Sequence, residues 1–162
     1  MTAHPLSPIE RARVVTAARR WLGTPYVHQA SCEGAGCDCL GLIRGVWREL
    51  IGPEPERPPA YTPLWAEEKG EETMLRAAHR HLHPLPADRP PAAGDVLLFR
   101  LRPHLPAKHA AIASRPDTMI HALEGCGVVE VPIDNFWRRQ LTARFAFPAF
   151  AARAAEDATG SR

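Results

Sequence analysis

Residues 32–47 read CEGAGCDCLGLIRGVW, three cysteines within eight residues that run directly into an apolar stretch. Leu42, Ile43, Val46, Trp47 and Leu50 recur at helical spacing, and Gly52 with Pro53 stops the run. The segment therefore predicts a helix with Cys39 at or near its N-terminus. That placement matters chemically, because a thiol is a nucleophile only as thiolate and the positive end of a helix dipole favours the charged form.

Toward the N-terminus, Ser7-Pro8-Ile9-Glu10 reads as a capping box, with Ser7 at the N-cap and Pro8 at the first helical position. Val14, Val15, Ala18, Trp21 and Leu22 mark one face of that helix, and Gly23-Thr24-Pro25 closes it. Toward the C-terminus, the prolines of 53–63 disfavour regular structure, whereas 65–83 predicts a helix with an acidic first half and a histidine-rich end. After a second proline-rich connection at 86–95 the texture changes to short β-like runs: VLLF at 96–99, HAAIA at 109–113, TMIHA at 118–122, VVEV at 128–131 and LTARFAF at 141–147. Helices followed by strands predict an α+β domain, an antiparallel sheet of about five strands with the helices gathered on one side. The expected organisation is a single domain over 1–150 with a proline-rich insertion near 53–93 and a frayed tail over 151–162.

A chain of 162 residues, 45% hydrophobic and 23% charged, suits one globular core. No apolar run approaches the roughly 20 residues of a membrane-spanning helix, so no membrane segment is expected. The N-terminal stretch lacks the basic region, apolar core and cleavage site of a secretory signal, which predicts cytoplasmic synthesis. A net charge of +2, with arginines dispersed along the chain, argues against direct nucleic-acid binding. Glycine-rich phosphate loops are absent, and nothing calls for a cofactor. The spacing C-x4-C-x-C of Cys32, Cys37 and Cys39 is one residue off a plant-type iron–sulfur pattern and lacks paired C-x-x-C knuckles. His79 and His83 stand four apart without a third ligand, so no metal is expected. A reducing compartment makes disulfides the poorer default and leaves Cys32, Cys37 and Cys126 without an assigned role.

A nucleophile needs a base, and the strand half offers His109 in KHAAI and His121 in MIHAL. Each residue also has a structural reading: a cysteine at a helix start is often a small buried hydrophobe, and a strand histidine is often simply hydrogen-bonded. Together they supply nucleophile, base and orienter from suitably rigid elements.

These residues carry a resemblance. Asp38-Cys39-Leu40-Gly41-Leu42, GTPY at 23–26, AGDVLLF at 93–99, KHAAI around His109 and MIHA with His121 are together similar to the NlpC-type cell-wall peptidase family, over roughly residues 10–147. The resemblance implies a stripped-down papain-like fold and a cysteine peptidase (a thiol protease) with Cys39 as nucleophile, His109 as general base and His121 as the residue that orients it. Tyr26 matches a tyrosine placed to hold substrate or an oxyanion. Asp38 precedes the nucleophile as in the family; a substrate contact is one reading and a helix-start acceptor of backbone N–H groups the favoured one. The implied substrate is peptidoglycan, at the stem-peptide bond between D-glutamate and the following diamino acid.

Two departures, the cysteine-rich loop before Cys39 and the long proline-rich insertion, resemble the tail-associated peptidases of long-tailed phages and gene transfer agents. They imply a virion component made in the cytoplasm, partnered by tail or baseplate proteins and carried to the cell wall. Two competing readings are a structural adaptor or plug on a peptidase fold, and an amidase or acyltransferase using the same thiol.

Overall fold

The computed structural model describes residues 4–58 and 70–150. The first helix, α1 (Pro8–Arg19), starts where the capping box predicts: Ser7 Oγ accepts from Glu10 N–H at 3.1 Å, and Glu10 Oε1 accepts from Ser7 N–H at 3.2 Å. Glu10 is itself buried, and its other oxygen accepts from Phe150 N–H at 2.8 Å, tying the helix start to the far end of the described chain. Trp21 and Leu22, expected on the helical face, follow the helix, and Leu22 is exposed.

A hairpin of β1 (Ser31–Cys32) and β2 (Gly36–Cys37) occupies the cysteine loop and leads into α2 (Cys39–Leu50). Leu42, Ile43 and Val46 are buried against α1, and Trp21 lies so close to Gly45 that a Cβ there would enter its indole. Beyond 53–58, the expected helix over 65–83 is found as α3 (Thr73–His81); its predicted first part, including Trp65, lies outside the described residues, as does the tail over 151–162.

The five predicted strands are all present as β4 (Val96–Phe99), β5 (His109–Arg115), β6 (Thr118–Leu123), β7 (Gly127–Pro132) and β8 (Leu141–Ala146). A further strand, β3 (His83–Leu85), joins them, so the antiparallel sheet has six strands rather than about five, in the order β3-β8-β4-β5-β6-β7. Its proline disguised it in the sequence. Pro84 cannot donate to a ladder, but β3 is an edge strand, where that loss is tolerated.

Helices α1 and α2 cover one sheet face over the main core, which includes Val14, Trp21, Leu42, Val46, Val96, Leu98, Ala110, Ile112, Ile120 and Phe145. The other face is not bare, which corrects the expectation that the helices gather on one side. A short helix, α4 (Asn135–Gln140), lies there, and Trp137 with Ile133 and Leu141 packs over Leu97, Phe99, Ala111, Ala113 and Met119. Buried Asp95 binds Arg144 Nη2 at 2.6 Å and His4 Nε2 at 2.9 Å, while Arg144 also donates to the carbonyls of Pro86 and Arg89. One ion cluster thereby fastens β4, β8 and the proline-rich connection. Among the described residues no helix is long and apolar enough to cross a membrane.

Candidate active site

Asp38 is the N-cap of α2, and its carboxylate accepts from Gly41 N–H at 2.7 Å and from Gln29 N–H at 2.8 Å. This is the helix-start role favoured for it, extended to the loop in front. Gln29 holds a left-handed backbone (φ 66°) while donating to it. Gly41 permits the close approach of that loop, since a Cβ there would run into the Ala30 carbonyl oxygen. Cys39 is thus the first residue of a capped helix under a fastened loop.

The Cys39 thiol is directed at the start of β5, where the Lys108 carbonyl accepts from Sγ at 3.8 Å. Burial pushes the thiol pKa up to about 12, with the Asp38 carboxylate adding to the rise; the backbone N–H groups of Ala110, Leu40 and Cys39 work in the opposite direction, favouring thiolate. The sulfur therefore lies against the backbone on both sides of His109.

His109 and His121 meet directly. His109 Nε2 and His121 Nδ1 are 2.8 Å apart, with the rings nearly perpendicular at 77°. Register explains the meeting: Ile112 on β5 pairs with Ile120 on β6, which brings His121 level with the stretch of β5 that begins at His109, and strand alternation sends both rings to the face that α4 covers. Burial lowers the pKa of His109 to about 3, aided by His121 and by the Lys108 charge, and that of His121 to about 4. At neutral pH the site holds a neutral thiol and two neutral imidazoles.

Tyr26 is brought beside Cys39 by the GTPY segment. Gly23 N–H donates to Val128 O at 3.0 Å and Thr24 O accepts from Val128 N–H at 2.9 Å, which docks the segment on β7; Tyr26 then bridges Cys37, two residues before Cys39. Burial, followed by the charges of Cys39 and Asp38, raises its pKa to about 12, so the phenol stays protonated and able to donate. All four cysteines are free thiols: Cys37 is buried in β2, whereas Cys32 and Cys126 are exposed. Burial pushes the Cys37 thiol up to about 11, and only Cys39 of the four sits at a helix start.

Trp137, on α4, takes a specific position beside the two rings. Its indole stacks on His109 at 5.3 Å and 27° and stands perpendicular to His121 at 5.2 Å. No sequence signal pairs a tryptophan with histidines 28 and 16 residues earlier. On the opposite sheet face, the first turn of α2 borders a cavity of about 410 Å³, lined largely by apolar groups that include Leu40, Trp47, Met74, Leu98 and Ala110.

The arrangement of α1 and α2 on an all-antiparallel sheet superposes on solved structures. The fold is that of NlpC/P60 domains. An NlpC/P60 family protein from Bacillus cereus ATCC 10987 superposes with a TM-score of 0.60 at 16% identity, over 85% of this chain and 40% of that one. The NlpC/p60 domain of the peptidoglycan hydrolase SagA superposes with a TM-score of 0.54 at 24% identity, over 85% of this chain and 98% of that domain. In sequence, the gamma-DL-glutamyl hydrolase of Bacillus subtilis strain 168 is 26% identical over 133 residues, 80% of this chain. The chain spans only 27% of that relative's length. No family model matches the sequence.

Proposed function

We propose that this chain is a cysteine hydrolase that cuts an amide bond in peptidoglycan stem peptides, between D-glutamate and the diamino acid that follows. The observation that carries the reading is the 2.8 Å His109–His121 pair on β5 and β6, with a helix-start thiol set against the backbone on either side of His109. The choice of bond is supported by the similarity to a gamma-DL-glutamyl hydrolase, and the choice of polymer by the likeness to a domain of a peptidoglycan hydrolase.

In this mechanism the thiol and imidazole start neutral, so the Cys39 proton passes to His109 as sulfur attacks the carbonyl carbon. His121 holds the imidazole that receives it. The backbone N–H of Cys39 and the protonated Tyr26 hydroxyl supply donors for the tetrahedral oxyanion. His109 then gives its proton to the departing amine, and a water activated by His109 hydrolyses the thioester.

The test is release of stem-peptide ends from purified peptidoglycan, read by mass spectrometry. Wild-type protein should produce a new free amine and carboxylate, and Cys39→Ala should produce neither; equal release by both would falsify the reading. Release of intact stem peptide from the sugar chain would instead mark an amidase.

The proposal extends to a setting: synthesis in the cytoplasm, assembly with tail or baseplate proteins of a phage-like particle, and action at the cell wall. Support for it is the resemblance of the cysteine-rich loop and proline-rich insertion to tail-associated peptidases. Particles assembled with Cys39→Ala should form normally and fail to enter cells. Particles lost only when the whole protein is deleted would reveal a structural duty.

A further inference from the structure

The hydrogen bond between His109 Nε2 and His121 Nδ1 contains one proton, and either ring can supply it. If His109 donates, its Nδ1 is bare and able to take a proton, and neutral His121 carries its own proton on Nε2. If His121 donates, His109 is protonated at Nδ1 and cannot act as a base there, and His121 Nε2 is a bare lone pair. The difference therefore falls on His121 Nε2, which is buried and has no hydrogen-bond partner among the described residues.

What packs against that ring is Trp137. Its indole lies nearly parallel over His109 and at 89° to His121, 5.2 Å between centroids. An aromatic face is electron-rich: it attracts an N–H and repels a lone pair. The indole is also firmly placed. Asp134 caps α4 by accepting from Trp137 N–H at 3.1 Å, buried Ile133 anchors the preceding residue, and Phe99 packs edge-on to the indole at 5.1 Å.

We propose that Trp137 is a positioning residue whose indole face receives the His121 Nε2–H and thereby locks the pair in the tautomer that leaves His109 Nδ1 unprotonated. This rests on the reading of His109 as the general base, but its decisive test does not require turnover. In the full chain with ¹⁵N-labelled histidine, NMR at neutral pH should find both protons on Nε2. Trp137→Leu should shift the pair to a mixture of tautomers and lower kcat by about tenfold with KM unchanged, whereas Trp137→Phe, which retains a ring face, should recover most of both.

Ring-fluorinated tryptophan incorporated throughout the chain gives a second readout that needs no substitution, because it thins the π density: the His121 Nε2 resonance should move. A wild-type proton on His109 Nδ1, unchanged tautomers in folded Trp137→Leu, or a His121 resonance indifferent to fluorination each overturns the proposal; the last two would arise if a buried water satisfied Nε2 instead. A wild-type protein with the expected tautomer that cleaves no peptidoglycan would overturn the hydrolase reading and leave the role of Trp137 standing.

Discussion

The two faces of the six-stranded sheet are built by the same strands and carry different kinds of residue. On β5, Ala110 and Ile112 point into the core beneath α1 and α2, while His109, Ala111 and Ala113 point toward α4. The first face is covered by two twelve-residue helices, the second by a six-residue one. On the second face the buried polar rings share one hydrogen bond, between His109 and His121, and an indole closes over both. The helix-start thiol belongs to neither face alone. Cys39 comes from the helix that covers the first, yet its thiol meets the backbone at the start of β5, from which His109 rises on the second. One face holds the main core and the other the buried histidine pair, and the start of β5 is where they join.

Substitutions on the two faces should therefore fail in different ways. The largest effect is expected from His109→Ala, which should lower turnover by roughly 10²- to 10⁴-fold with a smaller loss of stability than a core truncation, since the main core on the other face is untouched. Ile112→Ala, three residues along the same strand, should do the reverse, costing about 2–5 kcal/mol in denaturant unfolding with kcat retained in the folded protein. If Ile112→Ala abolished turnover in folded protein, or His109→Ala were as destabilising as Ile112→Ala, the division between the faces would be wrong.

Acid should act through the histidine face. His109 and His121 take up protons near the usual 6.5 when unfolded but only near 3 and 4 when folded, because burial disfavours the charged rings. Their contribution to stability is thus fully present above 6.5 and is lost as pH falls toward 4, on the order of 1 kcal/mol per pH unit for each ring. Thermal unfolding from pH 7 to 4 should fall less steeply in His121→Asn than in wild type; equal slopes would mean that His121 is not held neutral. The smallest effect is expected at Phe136, which is 48% exposed although it touches Trp137 edge-on. Phe136→Ser should change stability by no more than about 0.5 kcal/mol, and a larger loss would show that α4 depends on both rings to hold its place.

Much of the fold was legible in the sequence where local signals were strong. The capping box located α1, the apolar spacing located α2, and all five apolar runs became strands within a residue or two of their expected bounds. The misses share a cause. In β3 the HPL run is dominated by a proline that only an edge position excuses, and β1 and β2 are two-residue strands too short to show periodicity. Candidate site residues could be named because a cysteine at a predicted helix start and histidines in predicted strands are local observations. Their partners could not, since the contact of Cys39 with Lys108 and that of His121 with Trp137 span 69 and 16 residues.

Read alone, the sequence located α1 and α2, part of α3 and the five strands β4 to β8, and it singled out Cys39, His109 and His121 as candidate site residues. Those properties follow from capping, spacing and side-chain chemistry, which act over a few residues. Tertiary structure decided which sheet face each histidine occupies, that the two rings share a proton, that the thiol lies against the start of β5 and that an indole covers the pair. Strand register and the docking of α4 set those relations, and both are fixed by packing between segments far apart in the chain, for which no local pattern encodes the partner.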